Sequence, residues 1–270
     1  MSGTEAGYDP TFLGPPVPLP VPAQPVRNLP STHFTVLLDP ARRLAAATAV
    51  NIDGAELVDL ERGDDWHLDP RVPADEQAGP ELYARNDLDR GHLVRRRDPV
   101  WGDLVVARRA NYDTFAYPNA APQASAFNQG ELLWVGLEDH VLEYARVYWH
   151  RVSVFTGPVL ADDDPVYRGV QIPRMFWKVA AWASGVSLHA AAFVLDQTPF
   201  VTSLATALDE VADVPELGPF RTFQVPVVDV EALTGIDLGP LVEADVLAPV
   251  GALTDRERWL PLSAVEQVRL

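Results

Sequence analysis

The clearest hydrophobic periodicity in the chain predicts a helix over 131–149. Apolar residues recur there at the spacing of one helical face, at positions 133, 134, 137, 141, 145 and 148. Glu138 projects from this apolar face, because it follows Trp134 by four residues and precedes Leu142 by four. A carboxylate in that position needs an ionic partner or a water network. Glu138 is therefore either a functional residue or one half of a buried ion pair.

Apolar runs rich in β-branched and aromatic residues predict strands on both sides of that helix. They cover 32–39, 45–53, 151–156, 176–182, 188–196 and 221–227. Ser184-Gly185 indicates a hairpin turn, and short helices are predicted over 103–111 and 228–233, the second ending at Gly235. Strands dominate, and no repeat of 20 to 50 residues is present. The pattern favours an α+β fold with a mainly antiparallel sheet flanked by helices.

Composition divides the chain into an arm and one domain. Residues 1–30 hold eight prolines and little periodicity, which predicts an extended, polyproline-like arm. Residues 31–270 are expected to form a single domain, because 270 residues of which 47% are hydrophobic can bury one large core. The chain shows neither a signal peptide nor an apolar run that could span a bilayer. We expect a cytoplasmic protein without a membrane partner, with signal-less export as the alternative.

Residue usage limits the chemistry that the protein can support. The sequence contains no cysteine, which excludes disulfides, zinc-thiolate sites and thiol nucleophiles. Any metal must be held by oxygen or imidazole nitrogen, and oxygen ligands favour hard ions such as Mg²⁺ or Mn²⁺.

One stretch, residues 86–97, gathers groups suited to cleaving a phosphodiester. Its sequence is Asn-Asp-Leu-Asp-Arg-Gly-His-Leu-Val-Arg-Arg-Arg. His92 can accept a proton from water near neutral pH, because the ordinary pKa of histidine lies close to the working pH. Arginines beside it can grip a phosphate in bidentate fashion. Gly91 allows the backbone to approach a ligand closely or to adopt an angle closed to other residues.

Net charge at first argues against a polyanionic substrate, because the chain carries −17 at neutral pH. The charge is unevenly distributed, however. Residues 85–109 contain seven arginines against four aspartates, a net +3, so that the remainder carries −20. A basic strip on an acidic body can still bind nucleic acid. The plainer alternative is an ordinary solvated surface.

These residues, together with later blocks, resemble the DNA/RNA non-specific endonucleases. The matching blocks are Asp89-Arg90-Gly91-His92, Asn119-Ala120-Ala121-Pro122-Gln123, Phe127-Asn128-Gln129-Gly130, Leu137-Glu138-Asp139, Phe155-Thr156-Gly157-Pro158, Phe176-Trp177-Lys178 and Phe223-Gln224-Val225-Pro226. They follow the family's order over roughly residues 30–240. The resemblance implies a ββα-metal finger active site and cleavage of DNA and RNA with Mg²⁺, or alternatively Mn²⁺. It also implies weak sequence preference and strong sensitivity to salt.

The resemblance assigns a role to each matched residue. His92 matches the general base that activates the attacking water, and Asn128 matches the direct protein ligand of the metal. Asp89 matches a carboxylate near the metal, and Arg90 matches a phosphate-binding arginine.

Further residues complete the implied site. Asn119 matches an asparagine lining the site, and Glu138 matches the glutamate that orients metal-bound water. Arg62 lies near the position of another phosphate-clamping arginine, although the match there is loose. The basic strip adds three expected substrate contacts: Arg95, Arg96 and Arg97.

The sequence departs from the family's spacing at one point. The asparagine and the glutamate are about eight residues apart in the family, whereas Asn128 and Glu138 are ten apart. Two residues added within a helix would rotate Glu138 by about 200° relative to Asn128. Either the insertion is absorbed near Gly130, or Glu131 takes over part of the role of Glu138.

Two other functions remain alternatives to the endonuclease. One is a catalytically idle nucleic-acid-binding relative, which would need neither His92 nor Asn128. The other is a metal-dependent phosphodiesterase for small molecules, which would need a closed pocket. For the endonuclease, a homodimer follows from the resemblance. An inhibitor protein is a further expected partner, because an unrestrained nuclease would endanger its own cell.

Overall fold

The computed structural model describes residues 7–61, 63–124, 134–148, 150–198, 201, 221–247 and 259–269. In chain order the strands are β1 (Arg27–Ser31), β2 (Phe34–Asp39), β3 (Leu44–Asp53), β4 (Leu88–His92), β5 (Ala120–Ala124), β6 (Arg151–Val159), β7 (Val166–Tyr167), β8 (Val170–Gln171), β9 (Met175–Ser184), β10 (Ser187–Asp196), β11 (Arg221–Val225) and β12 (Leu260–Leu262). The α-helices are α1 (Pro80–Tyr83), α2 (Leu104–Asp113), α3 (Trp134–Tyr148) and α4 (Val227–Thr234).

An eight-stranded antiparallel sheet is the centre of this architecture. Its strand order is β1-β2-β3-β6-β9-β10-β11-β12, and strands β4 and β5 pair with each other outside it. Both faces of the sheet are buried. Along β9, Phe176 and Ala180 pack on one face, whereas Trp177 and Val179 pack on the other. Because each face has its own apolar core, the sheet needs a covering layer on both sides.

The N-terminal segment 7–26 and α4 cover one face. Tyr8, Phe12, Leu13 and Val17 are buried in the same cluster as Trp177. The Tyr8 hydroxyl donates to the Val17 carbonyl at 2.9 Å and so closes the segment on itself. The proline-rich segment therefore lies along the body of the protein and contributes to its core.

The antiparallel pair β4–β5 and α3 cover the opposite face. We call this pair the β4–β5 hairpin, although the connection between its strands, residues 93–119, is long and contains α2. Leu93 and Ala121 from the hairpin region share a core cluster with Val141 and Ala145 of α3. Helix α3 approaches the end of β3 so closely that a Cβ on Gly54 would overlap the Ala145 carbonyl oxygen. This close approach requires glycine at position 54.

The fold confirms the predicted α+β class and most of the predicted elements. The six predicted strands, the helix near the middle of the chain and the hairpin turn are all present, the last with Gly185 at a φ of 62°. Gly235 ends α4 in the left-handed conformation, with a φ of 67°. Strands β1, β4, β5, β7, β8 and β12 were not predicted. The expected boundary between arm and domain, after residue 30, falls inside β1, which pairs with β2.

Within the described part of the chain, none of the helices combines the length and apolar character that a membrane span requires. Helix α3, with 15 residues, is also shorter than the ~20 residues that crossing a bilayer takes.

The packing of the N-terminal segment predicts unequal effects of two valine substitutions. Val17 is completely buried, whereas Val21, four residues later, is 61% exposed. Val17→Ala should lower the free energy of unfolding by about 2 kcal/mol, because it removes two buried methyl groups and leaves a cavity. Val21→Ala should change it by less than about 0.5 kcal/mol. Urea unfolding measures both, and equal effects would show that the segment does not pack as described.

Candidate active site

The four residues Asp89-Arg90-Gly91-His92 form most of β4, and its pairing with β5 explains the glycine. Gly91 lies opposite Ala121, and Asp89 lies opposite Gln123. A Cβ at position 91 would overlap the buried side chain of Gln123. Gly91 does not have a positive φ. It is therefore required by packing across the hairpin, a reason different from the ligand approach or unusual backbone angle expected from the sequence.

Asn119 fixes the backbone immediately after His92. Its side chain is fully buried, and its carbonyl oxygen accepts a hydrogen bond from the Val94 N–H at 2.8 Å. Its amide donates to the carbonyl oxygens of Val94 and Thr114, each at 2.9 Å. The backbone carbonyl of Asn119 also accepts from the Leu93 N–H at 2.9 Å. Both side-chain N–H groups of Asn119 thus donate to the backbone. Asn119 therefore stabilises the conformation of the chain that follows β4.

Gln197 ties the end of β5 to the large sheet. Its side-chain oxygen accepts from the Ala124 N–H at 3.1 Å, and its amide donates to the carbonyls of Pro122 and Pro173 at 3.3 Å and 2.6 Å. Gln197 is completely buried. The strand that leads toward Asn128 is therefore anchored at its last described residue.

Two aromatic rings enclose the imidazole of His92. Trp66 lies 4.7 Å from it, between ring centroids, and Phe115 lies 5.1 Å away in an edge-to-face arrangement. Trp66 also packs edge-to-face on Phe115 at 5.4 Å. These contacts restrict the rotamers open to His92.

Arg90 also contacts the Trp66 ring. Its guanidinium carbon is 5.3 Å from the ring centroid, within the range of a cation–π contact. One guanidinium nitrogen lies 3.9 Å from a carboxylate oxygen of Asp64, whose side chain is 75% exposed. Tyr83 lies close enough to interact electrostatically with Arg90. Burial raises the pKa of Tyr83 well above its ordinary value, and the positive charge of Arg90 opposes that shift.

The three consecutive arginines that follow β4 contact the protein itself. Arg95 forms an ion pair with Asp139 of α3, and its side chain is 17% exposed. Arg96 donates to the Leu60 carbonyl and to the Asn111 side chain at 3.1 Å and 3.2 Å. Arg97 pairs with Asp59 at 3.1 Å. The sequence suggested an open strip of arginines. In the structure these arginines join the segment after β4 to α2, to α3 and to the loop between β3 and α1.

Helix α3 is held beside the hairpin by the Arg95–Asp139 ion pair. Residue 138 of α3 is three residues before the buried Val141 and seven before the buried Ala145. The helical register therefore places position 138 on the side of α3 that faces the core. The side chain of Glu138 lies outside the described residues, as do Arg62, Asn128 and Glu131, so that their roles remain predictions.

No metal-binding cluster is found among the residues that the structure describes, because no three histidine, aspartate or glutamate side chains lie together there. The ligand that the resemblance implies, Asn128, lies outside them. An asparagine ligand would supply a neutral carbonyl oxygen, a donor suited to Mg²⁺.

Sequence reasoning missed two residues that shape this site. Trp66 lies outside every element and motif that the sequence predicted, and Gln123 was part of a motif without a role. An isolated tryptophan in a polar, proline-containing loop is a signal that could have indicated Trp66, because a large aromatic ring is normally placed by packing.

The described geometry defines a class of protein. A short hairpin that carries a histidine, followed by a helix packed on the same face of a large antiparallel sheet, is the arrangement of the ββα-metal nucleases. The chain belongs to the DNA/RNA non-specific endonuclease family, whose model matches residues 18–245.

Individual relatives agree with this membership. The chain is 44% identical over 219 residues to an uncharacterized protein, y4fB, of Sinorhizobium fredii, a match covering 76% of this chain and 32% of the relative. It is 28% identical over 202 residues to mitochondrial endonuclease G of Bos taurus, covering 70% of this chain and 59% of the relative. The chain thus spans about a third of the length of y4fB and somewhat over half the length of the bovine endonuclease G.

A solved structure shows the same fold. The crystal structure of an EndoG/EndoGI complex, described as showing the mechanism of EndoG inhibition, superimposes with a TM-score of 0.57 at 22% identity. The match covers 78% of this chain and 84% of that one.

The contact between Gly91 and Gln123 predicts a measurable coupling. Gly91→Ala should lower the free energy of unfolding by about 1–3 kcal/mol, because the added methyl group displaces the Gln123 side chain. Gln123→Ala makes room for that methyl group, so Gly91→Ala should cost less in the Gln123→Ala background than in the wild type. A double-mutant cycle of thermal unfolding tests this. Strictly additive effects would show that another contact requires the glycine.

Proposed function

We propose that the protein is a Mg²⁺-dependent endonuclease that hydrolyses phosphodiester bonds of DNA and RNA with little sequence preference. The observation that carries this proposal is the placement of His92 and Arg90 on one strand. They are two residues apart on β4, so their side chains leave the same face of the hairpin. One residue that can take a proton and one that can bind a phosphate oxygen therefore face the same space.

His92 is the proposed general base. In this role it removes a proton from the water that attacks phosphorus. The edge-to-face contact with Phe115 and the packing on Trp66 hold the imidazole in one orientation. Asn119 contributes by fixing the backbone that follows His92. A base held in place before the substrate arrives loses little rotational freedom in the reaction.

Arg90 is the proposed phosphate-binding residue. The Trp66 ring contacts its guanidinium group, and Asp64 lies at the long distance of 3.9 Å. An exposed ion pair of that length contributes at most ~1 kcal/mol, so a phosphate can displace it. Arg95, Arg96 and Arg97 have protein partners in the described structure, and we assign them mainly to fixing the hairpin and α3.

Asn128 is the proposed metal ligand, with Asp89 and Glu138 acting on the waters around the ion and Arg62 on the phosphate. When bound, Mg²⁺ would stabilise the negative charge that develops on the phosphate and on the leaving 3′ oxygen. A single asparagine ligand leaves room for water and substrate oxygens. Mn²⁺ has similar ligand preferences and is a second candidate.

A polymeric substrate fits the described surface better than a small molecule does. A cavity of about 550 Å³ lies between the N-terminal segment, the turn before β3 and the end of α4, and none of the proposed site residues lines it. Arg90 is 37% exposed. We therefore place the substrate on the outer surface of the hairpin, where a nucleic acid strand could pass.

Further partners and the cellular location are also part of the proposal. A solved relative is described in complex with its inhibitor EndoGI. We propose that an inhibitor protein similarly restrains this nuclease if it stays in the cytoplasm, and that the active form is a homodimer, as the family resemblance implies.

Incubation with supercoiled plasmid and with single-stranded RNA, with and without EDTA, tests the main proposal. Cleavage of both polymers in Mg²⁺ and its loss in EDTA are the expected results. Binding without cleavage in either Mg²⁺ or Mn²⁺ would instead support the idle relative. Hydrolysis of small phosphodiesters alone would support the small-molecule phosphodiesterase.

The assignment of His92 predicts separate effects on turnover and binding. His92→Ala should reduce kcat by at least about 100-fold, because positioned proton transfer typically contributes 10²–10⁴-fold. Binding of an oligonucleotide, measured by fluorescence anisotropy without divalent ions, should change little. His189→Ala is the control, because His189 stacks on Trp182 in the large sheet. A His92→Ala protein that cuts at nearly the wild-type rate would exclude this base.

The family's spacing and the register of α3 predict an order of importance for two glutamates. Glu138→Ala should lower kcat more than Glu131→Ala does, because position 138 is on the core-facing side of α3 beside the hairpin. Plasmid cleavage rates measure both variants after their folding has been checked by circular dichroism. The reverse order would assign the water-orienting role to Glu131.

A further inference from the structure

We propose that Trp66 is a positioning residue that holds His92 and Arg90 in their working orientations, an inference that rests on the proposed function of the same site. Trp66 contacts both side chains at once: its ring lies 4.7 Å from the His92 ring and 5.3 Å from the Arg90 guanidinium carbon. It reaches them from a loop more than twenty residues earlier in the chain.

Trp66 is placed firmly enough to serve as a support. The backbone of the next residue, His67, forms a parallel bridge with Ala116, in which the His67 N–H donates to the Phe115 carbonyl at 3.1 Å and the Tyr117 N–H donates to the His67 carbonyl at 2.9 Å. The Trp66 ring also packs on Phe115 at 5.4 Å and on Tyr117 at 5.7 Å. Backbone hydrogen bonds and ring packing therefore fix the same residue.

The contact with Arg90 preserves the groups that a phosphate needs. A cation–π contact is made with the face of the aromatic ring and involves no hydrogen-bond acceptor, whereas a phosphate accepts hydrogen bonds from the guanidinium N–H groups. Trp66 can thus orient Arg90 without competing for its donors. An acidic partner at short distance would orient the same side chain but would occupy those donors.

The contact with His92 has a different consequence. Trp66 and Phe115 form two walls around the imidazole, and the Phe115 ring meets it edge-to-face at 84°. Removing one wall opens space into which the His92 ring can turn. A displacement of about 1 Å at a catalytic group can cost on the order of 100-fold in rate.

The alternative role for Trp66 is a platform on which a base of the substrate stacks. The ring already contacts His92, Arg90, Phe115 and Tyr117, which leaves little of it for a base. The two roles differ in the substrates that they affect. Positioning acts on every phosphodiester, whereas stacking acts only on substrates that carry a base.

A kinetic comparison separates the two roles. Trp66→Ala and Trp66→Phe are assayed on duplex DNA and on methyl p-nitrophenyl phosphate, which has no base. Trp66→Ala should lower kcat by at least about tenfold on both substrates, and Trp66→Phe should recover most of that loss, because phenylalanine restores an aromatic wall. Trp101→Ala is the control, since Trp101 is also partly buried and packs instead on His33 at 3.4 Å and on Phe12 at 5.7 Å. A rise in KM confined to DNA, with kcat unchanged, would overturn the proposal in favour of base stacking.

A second measurement does not depend on cleavage. The imidazole proton resonances of His92, assigned by their loss in His92→Ala, should be displaced by the ring currents of Trp66 and Phe115 in the wild type. In Trp66→Ala they should move toward free-histidine positions and broaden as the ring samples further rotamers. Unchanged His92 resonances would overturn the positioning role even if the protein cleaves nucleic acid. Moved resonances in a protein that cleaves neither polymer would contradict the proposed function and leave the positioning contact established.

Discussion

The burial of both faces of the eight-stranded sheet is the constraint on which the rest of the structure depends. Strands β9 and β10 are apolar on successive residues, so neither face can remain in water. One face is covered by the N-terminal segment and α4, and the other by the β4–β5 hairpin and α3. The hairpin that carries His92 is therefore part of a hydrophobic layer, and its position is set by core packing. A surface loop would lack this support.

Within that layer, polar side chains define the geometry more finely than apolar packing can. The Asn119 side chain forms hydrogen bonds with the backbone of Val94 and of Thr114, near the two ends of the connection between β4 and β5. Gln197 ties the end of β5 to the sheet. Burying either of these amides without its hydrogen bonds would destabilise the folded protein, because the desolvation of the polar group would not be compensated. Their hydrogen bonds favour one register, because a shift of the hairpin by one residue would leave several donors and acceptors unpaired in the core. The resulting rigidity suits the proton transfer that we propose for His92.

The sequence predicted the elements with strong periodicity and missed those whose formation depends on distant contacts. Helix α3 and strands β9 and β10 were predicted because their apolar patterns are long. Strands β1 and β12 contain Pro30 and Pro261, which disfavour a strand assignment although proline is tolerated at a sheet edge, where both strands lie.

The candidate site shows the same division. Motif resemblance could propose His92, Arg90 and Asn119, because these residues lie in short blocks of recognisable sequence, and their roles remain predictions. The support from Trp66 and the steric requirement for Gly91 arise from contacts across 26 and 32 residues of chain. No local pattern carries such information. The ion pairs of Arg95 and Arg97 could not be predicted for a related reason, since their partners Asp139 and Asp59 are distant in sequence.

The pairing of those arginines also explains how an acidic protein could carry an anion-binding site. A guanidinium that already has a carboxylate or carbonyl partner gains less from a phosphate, because its existing hydrogen bonds must first be broken. Arg95 and Arg97 have such partners at normal ion-pair distance. Arg90 lies 3.9 Å from the carboxylate of Asp64, which is largely exposed. Arg90 also has an aromatic support, the ring of Trp66. A net charge of −17 repels nucleic acid at long range, and this repulsion is screened beyond about 8 Å at physiological salt. At contact distance, one oriented arginine and a bound divalent cation can outweigh that repulsion. For the proposed nuclease, the acidic surface would slow encounter with nucleic acid without preventing cleavage at the site.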